Sequence, residues 1–411
     1  MDSFRLIHSK TSGFFTRYPQ CKWLFLVLLG LIVLRYGYLS FLQAMQSSLD
    51  MQWYPTIQFW GLGAFENNAI NPYLAYFNGD TFMANNPNYM PTLYFLMFPF
   101  GLLDWEGAKA SFAIFNIICF ILTFFVFWHH GISKAFLWLL SILVVVGYTF
   151  PNVIGNGQIA IFVGLCVSIA YCYRHKPLVL IVALILIGVK HSFALPIFLG
   201  FFLAGFRKEV LIACGVIFAI VCAFAFKVDS NPFEILYLMS KVNSMYYNAN
   251  ALGGPSDLFS LSQKIFHTPY SPIALINICI YLSFIVLVVK YKPKDSIIIA
   301  SSILLSLFSL PHLGYDHYMF FVAIIIAKDA LKTFDWRMIG LIGVSLFLWR
   351  GAFLKPYVDT LSQKILYTLK VPMGGGQTHW AMDMGVVFCF ILCVVLIVLF
   401  YAILRDKNAT H

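Results

Sequence analysis

Apolar runs of helical length recur from residue 23 to residue 404, divided by short polar stretches. A helix that crosses a bilayer needs about 20 mostly apolar residues, about 17 at the low end. Inside lipid every backbone N–H and C=O must be paired, so runs of this kind form helices. They fall at about 23–41, 109–128, 136–150, 157–173, 178–189, 193–206, 210–226, 273–290, 296–310, 318–327, 338–354 and 382–404. Charged residues make up only 11% of the 411-residue chain, under half the usual share of a soluble domain. The expected fold is an all-α polytopic membrane protein, residues 1–411 forming one domain of about 12 transmembrane helices.

One further apolar stretch, YMPTLYFLMFPFGLL at 89–103, decides the parity of the crossings. The N-terminus carries Arg5, Lys10, Arg17 and Lys22 ahead of an apolar run longer than a cleaved signal core of about 7–15 residues. It reads as an uncleaved anchor with its basic flank inside. The loops RHKP (174–177), FRKE (206–209), KYKPK (290–294) and KDALKTFDWR (328–337) and the tail RDK (405–407) are short and basic. Residues 42–108 contain no Lys or Arg. The positive-inside rule puts all the basic segments on the cytoplasmic side, which requires an even number of crossings. Residues 89–103 therefore should not cross. Pro91 and Pro99 also disfavour a straight spanning helix. The stretch reads as an interfacial helix with its apolar side down, or as a re-entrant segment buried in protein.

This threading makes both termini cytoplasmic in a multi-pass protein of the cell membrane. The outer face receives the loop 42–108, the turns 151–158, 189–192 and 311–318, and the loops 227–272 and 355–381, the last with GGG at 374–376. The net charge of +10 is then a topology signal, and no nucleic-acid partner is expected. The nine cysteines include no CxxC pair and no zinc-like Cys/His spacing. No disulfide framework, metal or cofactor is expected. Cys389 and Cys393 share a helix face and read as lipid-facing or packed.

Polar residues on the outer side are the candidates for chemistry. Asp50 lies in SSLDMQWYP, just beyond the first helix. As a loop carboxylate it would cap a helix. Among Trp53, Tyr54 and Trp60, with no basic residue in its loop, it would be desolvated and a better base. Lys190 and His191 interrupt an apolar stretch; Lys190 is either a snorkelling lysine or a cation for an anion at membrane depth. SLPHLGYDHYMFF gathers His312, Tyr315, Asp316, His317 and Tyr318 in one turn. Asp316 either caps the next helix or orients His312 for a phosphate. Asn156 and Gln158 form a polar corner on a turn that Gly155 and Gly157 permit. Asp104-Trp105-Glu106 has a D-x-E spacing, but it reads as an N-cap with dipole complementation, not a metal motif.

Taken in order, Asp50, Asn71-Pro72-Tyr73, Tyr89 with Pro91, Gly157-Gln158, Lys190, His312 and Tyr315-Asp316 resemble glycosyltransferase family 87, membrane enzymes of GT-C architecture. The chain has Tyr89-Met90-Pro91 where many members have Tyr-Pro-Pro, and Lys190-His191 where many have Lys-Pro. The resemblance implies a GT-C-like bundle with interfacial helices in the first outer loop and a polyprenyl-phosphate sugar donor. It implies a glycan or glycolipid acceptor, work at the outer face within the lipid bilayer, and Asp50 as general base. Polyprenyl phosphate is a good leaving group, so the chemistry needs one base and cations or donors for the phosphate. Asp50 supplies the first, Lys190 and His312 the second, and Tyr315, Asp316, Gln158 and Asn156 support them. A single displacement inverts the anomeric centre. Two other classes fit a multispanning chain. A flippase of lipid-linked sugars would place polar residues at the bilayer midplane. A glycan polymerase or ligase would draw on late basic residues such as Lys355, Lys364 and Lys370.

Overall fold

The computed structural model describes residues 19–47, 51, 53–58, 70–79, 87, 89–147, 149–250, 258, 271–310, 312, 314–330 and a few positions beyond. Asp50, Trp60, the loop 355–381, Cys389, Cys393 and most of the apolar runs 338–354 and 382–404 lie outside the described residues. Among those described, the fold is entirely helical.

In chain order the helices are α1 (Pro19–Gln46), α2 (Trp53–Ile57), α3 (Pro72–Phe77), α4 (Pro91–Gly101), α5 (Trp105–His129), α6 (Lys134–Val146) and α7 (Thr149–Gly155). They continue with α8 (Ala160–Cys172), α9 (Pro177–Ile187), α10 (His191–Leu203), α11 (Arg207–Lys227), α12 (Pro232–Asn250), α13 (Ser271–Tyr291), α14 (Asp295–Ser309) and α15 (Met319–Ala330). A 3-10 turn, Gly314–Tyr318, leads into α15.

Among the described residues three helices are long and apolar enough to cross a membrane: α1 over Val27–Gln46, α5 and α11. A fourth crossing is available if α6 and α7, bent by 61°, act as one broken span. Every apolar run on described residues forms a helix, but several are shorter than a crossing. α9 has 11 residues, a rise of about 16 Å against a hydrocarbon core of about 30 Å. Proline at the first position starts α3, α4 and α9, where its missing N–H costs nothing.

The stretch at 89–103 forms a helix as short as α9. Its helix α4 has 11 residues and ends shortly before α5 begins. Leu93, Tyr94 and Met97 are fully buried, because α4 packs on α2, α5 and α11. Its apolar side thus lies on protein, with Phe95 and Leu102 left exposed.

α5 packs along α8, α9 along α8 and α11, α10 along α14, and α14 along α15. Between helices in lipid the contacts are set by close packing and small residues rather than by water exclusion. Gly164 faces the Tyr318 ring and Val322, and Gly200 faces Ser302 so closely that a Cβ there would collide with it. Outward, Leu31, Leu34, Ile118, Ile121, Leu211 and Phe218 are exposed, an apolar exterior that suits acyl chains.

Candidate functional site

The polar residues collect where helices begin. α10 starts at His191 directly after Lys190. α8 starts just after Gln158, and α15 just after the turn holding Asp316. Helix N-termini carry unpaired N–H groups and a partial positive charge. Contacts between their leading residues bring these ends together, so the surroundings favour an anion.

Gly157 makes the first corner possible. Its φ of +70° is costly for any residue with a Cβ, and a Cβ there would also run into the Met51 side chain. The turn aims Gln158 inward, where it is buried. The Tyr89 hydroxyl donates to Gln158 Oε1 at 3.3 Å. Gln158 Nε2 donates to the Tyr315 hydroxyl oxygen at 2.9 Å. The Tyr73 hydroxyl donates to the Tyr89 carbonyl at 2.6 Å, and Asn71 caps α3 by accepting from the N–H groups of Tyr73 and Leu74. Thr92 Oγ1 donates to the Gly188 carbonyl at 3.4 Å, tying the start of α4 to the turn before Lys190.

The second half of the cluster is ionic. Lys190 Nζ donates to Asp316 Oδ1 at 2.6 Å. Asp316 Oδ2 lies 2.9 Å from His312 Nδ1. On the far side of the ring, His312 Nε2 is 3.2 Å from Ser306 Oγ, and that hydroxyl donates to the Ser192 carbonyl at 2.8 Å. Phe193 stacks on the imidazole with centroids 4.3 Å apart. Burial would push the Asp316 carboxyl up; the Lys190 charge and His312 override it and hold it at about 2. Asp316 is therefore an ionised, doubly partnered carboxylate.

The sequence expectations divide on this geometry. Gln158 and Tyr315 form one bonded pair, and Lys190, Asp316 and His312 a second set; the two meet where Lys190 Nζ lies 5.9 Å over the Tyr315 ring. Asn156 stays outside both, half-buried on the same turn as Gln158, its N–H donating to the Asn152 carbonyl. His312 is 1% exposed and engages the cluster through both ring nitrogens, so it orders Asp316 instead of presenting a donor at the surface. Lys190 and Tyr315 are the half-buried members. His191 Nδ1 beside them is buried with no hydrogen-bond partner among the described residues. Asp104 caps α5, accepting from the Gly107 N–H at 2.8 Å, and Glu106 pairs with Lys109 at 2.8 Å, as a capping reading requires. Among the described residues no group of three or more His, Cys, Asp or Glu could hold a metal.

Sequence reasoning missed two residues. Ser306 sits in an apolar run with nothing to distinguish it. Lys109 was read as the first residue of a span, yet it is buried and donates to the Met45 carbonyl at 2.5 Å. Its position between the acidic pair Asp104 and Glu106 and an apolar run was the available signal. It places an ammonium at the end of α1, a few residues before Asp50 in sequence. The chain on both sides of Asp50 meets the glycine turn: Ser47 Oγ donates to the Gly155 carbonyl at 2.9 Å, and Met51 packs on Gly157.

Comparison of the chain with protein-family models, curated proteins and solved structures finds no match.

Proposed function

We propose that the chain is a membrane glycosyltransferase of the family 87 kind, moving a mannose-like hexose from a polyprenyl-phosphate donor to a glycan or lipid-linked acceptor. The observation that carries this reading is the gathering of Tyr89, Gln158, Lys190, His312, Tyr315 and Asp316, from distant segments, into two bonded sets. The sets meet at the adjacent residues Tyr315 and Asp316, where Lys190 Nζ lies 5.9 Å over the Tyr315 ring.

The division of labour follows from exposure and charge. Lys190, with the positive ends of α8, α10 and α15, meets the donor phosphate as charge develops on it. Tyr315 borders the same place. Asp316 and His312 hold Lys190 in position. Asp50 takes the proton from the acceptor hydroxyl, and the sugar is inverted in one displacement. The site belongs to the outer face of a chain with about 12 crossings and both termini inside, with the basic loops as the support for that topology.

A second reading, movement of a lipid-linked sugar across the bilayer, draws on the 61° break between α6 and α7, since broken helices often line transport sites. Purified protein in proteoliposomes, given defined polyprenyl-phosphate sugars and a panel of acceptors, tests both. Transfer with inverted configuration, lost in Asp50→Asn, is the expected result. Translocation of the lipid-linked sugar without any transfer would replace the proposal with the transport reading.

A further inference from the structure

At the opposite ends of α5 and α8 from the cluster lies a cavity of about 540 Å³, lined by Leu122, Phe125, Val126, Trp128, His129 and Tyr173. Leu122, Phe125 and Trp128 are exposed, on the outward side of α5, one of the helices able to cross a membrane. The groove is therefore open to acyl chains. Its mouth is cationic. Lys134 Nζ stands 3.9 Å over the Trp128 ring, and Lys176 Nζ 5.1 Å over the Tyr173 ring. Both lysines are exposed, as is His129. Neighbouring Arg174 is already committed: it bonds the Tyr171 carbonyl at 2.8 Å and lies 3.5 Å from Asp295.

We infer that this groove is a binding site for an acidic phospholipid, with one acyl chain along Leu122, Phe125 and Val126 and the phosphate between Lys134 and Lys176. Two aromatic rings hold the ammonium groups at the mouth of an apolar channel, which gives the order a phospholipid has: charge, then aromatic depth, then hydrocarbon. A zwitterionic lipid offers the same chain, but its own ammonium opposes the two lysines. A soluble anion would match the lysines and leave the apolar wall unused. Loops 129–134 and 173–177 fall on the cytoplasmic side by charge, the leaflet where basic pockets meet anionic headgroups. This inference is independent of the glycosyltransferase reading, and its test measures no transfer.

The test is native mass spectrometry of the purified protein in detergent, with palmitoyl-oleoyl phosphatidylglycerol and the matching phosphatidylcholine added in competition. The wild-type protein should retain phosphatidylglycerol in preference. The pair Lys134→Ala, Lys176→Ala should lose that preference by roughly tenfold to thirtyfold, from about fivefold per lysine. The pair Lys290→Ala, Lys292→Ala, which removes the same charge from another basic loop, should keep it. A benzoylphenylalanine at position 125 should capture phosphatidylglycerol in proteoliposomes, and less of it in the Lys134/Lys176 variant. Equal retention of the two lipids, an equal loss in both lysine pairs, or capture of protein instead of lipid at 125 would each overturn the site.

Discussion

Lys190 Nζ and Asp316 Oδ1 lie 2.6 Å apart although 126 residues separate them in the chain. Asp316 is buried and Lys190 half-buried, and the carboxylate's second oxygen is taken by His312. Removing one partner leaves a buried charge alone, which costs more than the pair contributes as a pair.

The first prediction concerns this coupling. Lys190→Ala and Asp316→Ala should each destabilise the protein by about 3–5 kcal/mol. The double variant should fall well short of their sum, because neither charge is left stranded. Thermal unfolding in detergent across the four proteins measures it. Additive losses would mean that the ion pair carries no special weight.

The pH dependence of that coupling follows in sign. The Asp316 carboxyl is held at about 2, below its ordinary 3.8. A depressed carboxylate stabilises fully above its unfolded value, and the contribution fades as pH falls through the folded value. The stability gap between wild type and Asp316→Asn should be flat from about pH 5 to 8 and close between about pH 4 and 2. A gap that changes around neutrality would assign the titration to another group.

Gln158 is the bridge between Tyr89 and Tyr315. Gln158→Leu keeps the bulk and removes one bond each from the buried Tyr89 and the half-buried Tyr315, a cost of about 1–3 kcal/mol each in the worst case. Under the proposed function, donor affinity should fall while the fold persists. Donor binding and unfolding temperature measured on one preparation separate the two effects; intact donor affinity would reduce Gln158 to a packing residue.

Asp50→Asn preserves shape and removes the base. Transfer should fall by about 10²–10⁴-fold with donor binding and protein yield near wild type. Asparagine caps helices nearly as well as aspartate, so a structural Asp50 predicts almost normal turnover. That outcome would turn attention to Glu66 and Asp80.

Topology is tested with exposed positions. Asn78→Cys and Asp229→Cys should label with an impermeant thiol reagent applied from outside, and His175→Cys and Lys292→Cys should not, each measured against the unsubstituted protein. All four side chains are exposed. Labelling of 175 from outside would reverse the orientation on which the proposed site depends.

Helix positions and the polar corners were legible in the sequence, because apolar runs and basic loops are long-range signals that survive small errors of boundary. The D-x-E segment at 104–106 was read as a cap, and its bonds agree. Helix lengths were less legible. The run 136–150 reads as a single helix, yet it breaks into α6 and α7 with a bend of 61°, whereas the break that Lys190 and His191 mark does separate α9 from α10. The roles inside the turn 312–316 were also hidden. Sequence offers His312 as a donor to phosphate, but the ring is enclosed by Ser306 and Phe193, residues that look like any others in an apolar helix.

The separation of Lys190 from Asp316 also sets a timetable. At about 5–20 residues per second, synthesis delivers Asp316 roughly 6–25 s after Lys190. Through that interval the lysine's eventual counter-charge has not yet been made, and the ammonium at the head of α10 is without it. A chain halted before the turn at 314–318 would carry that defect permanently, a mark by which cellular proteolysis could tell an unfinished copy from a finished one.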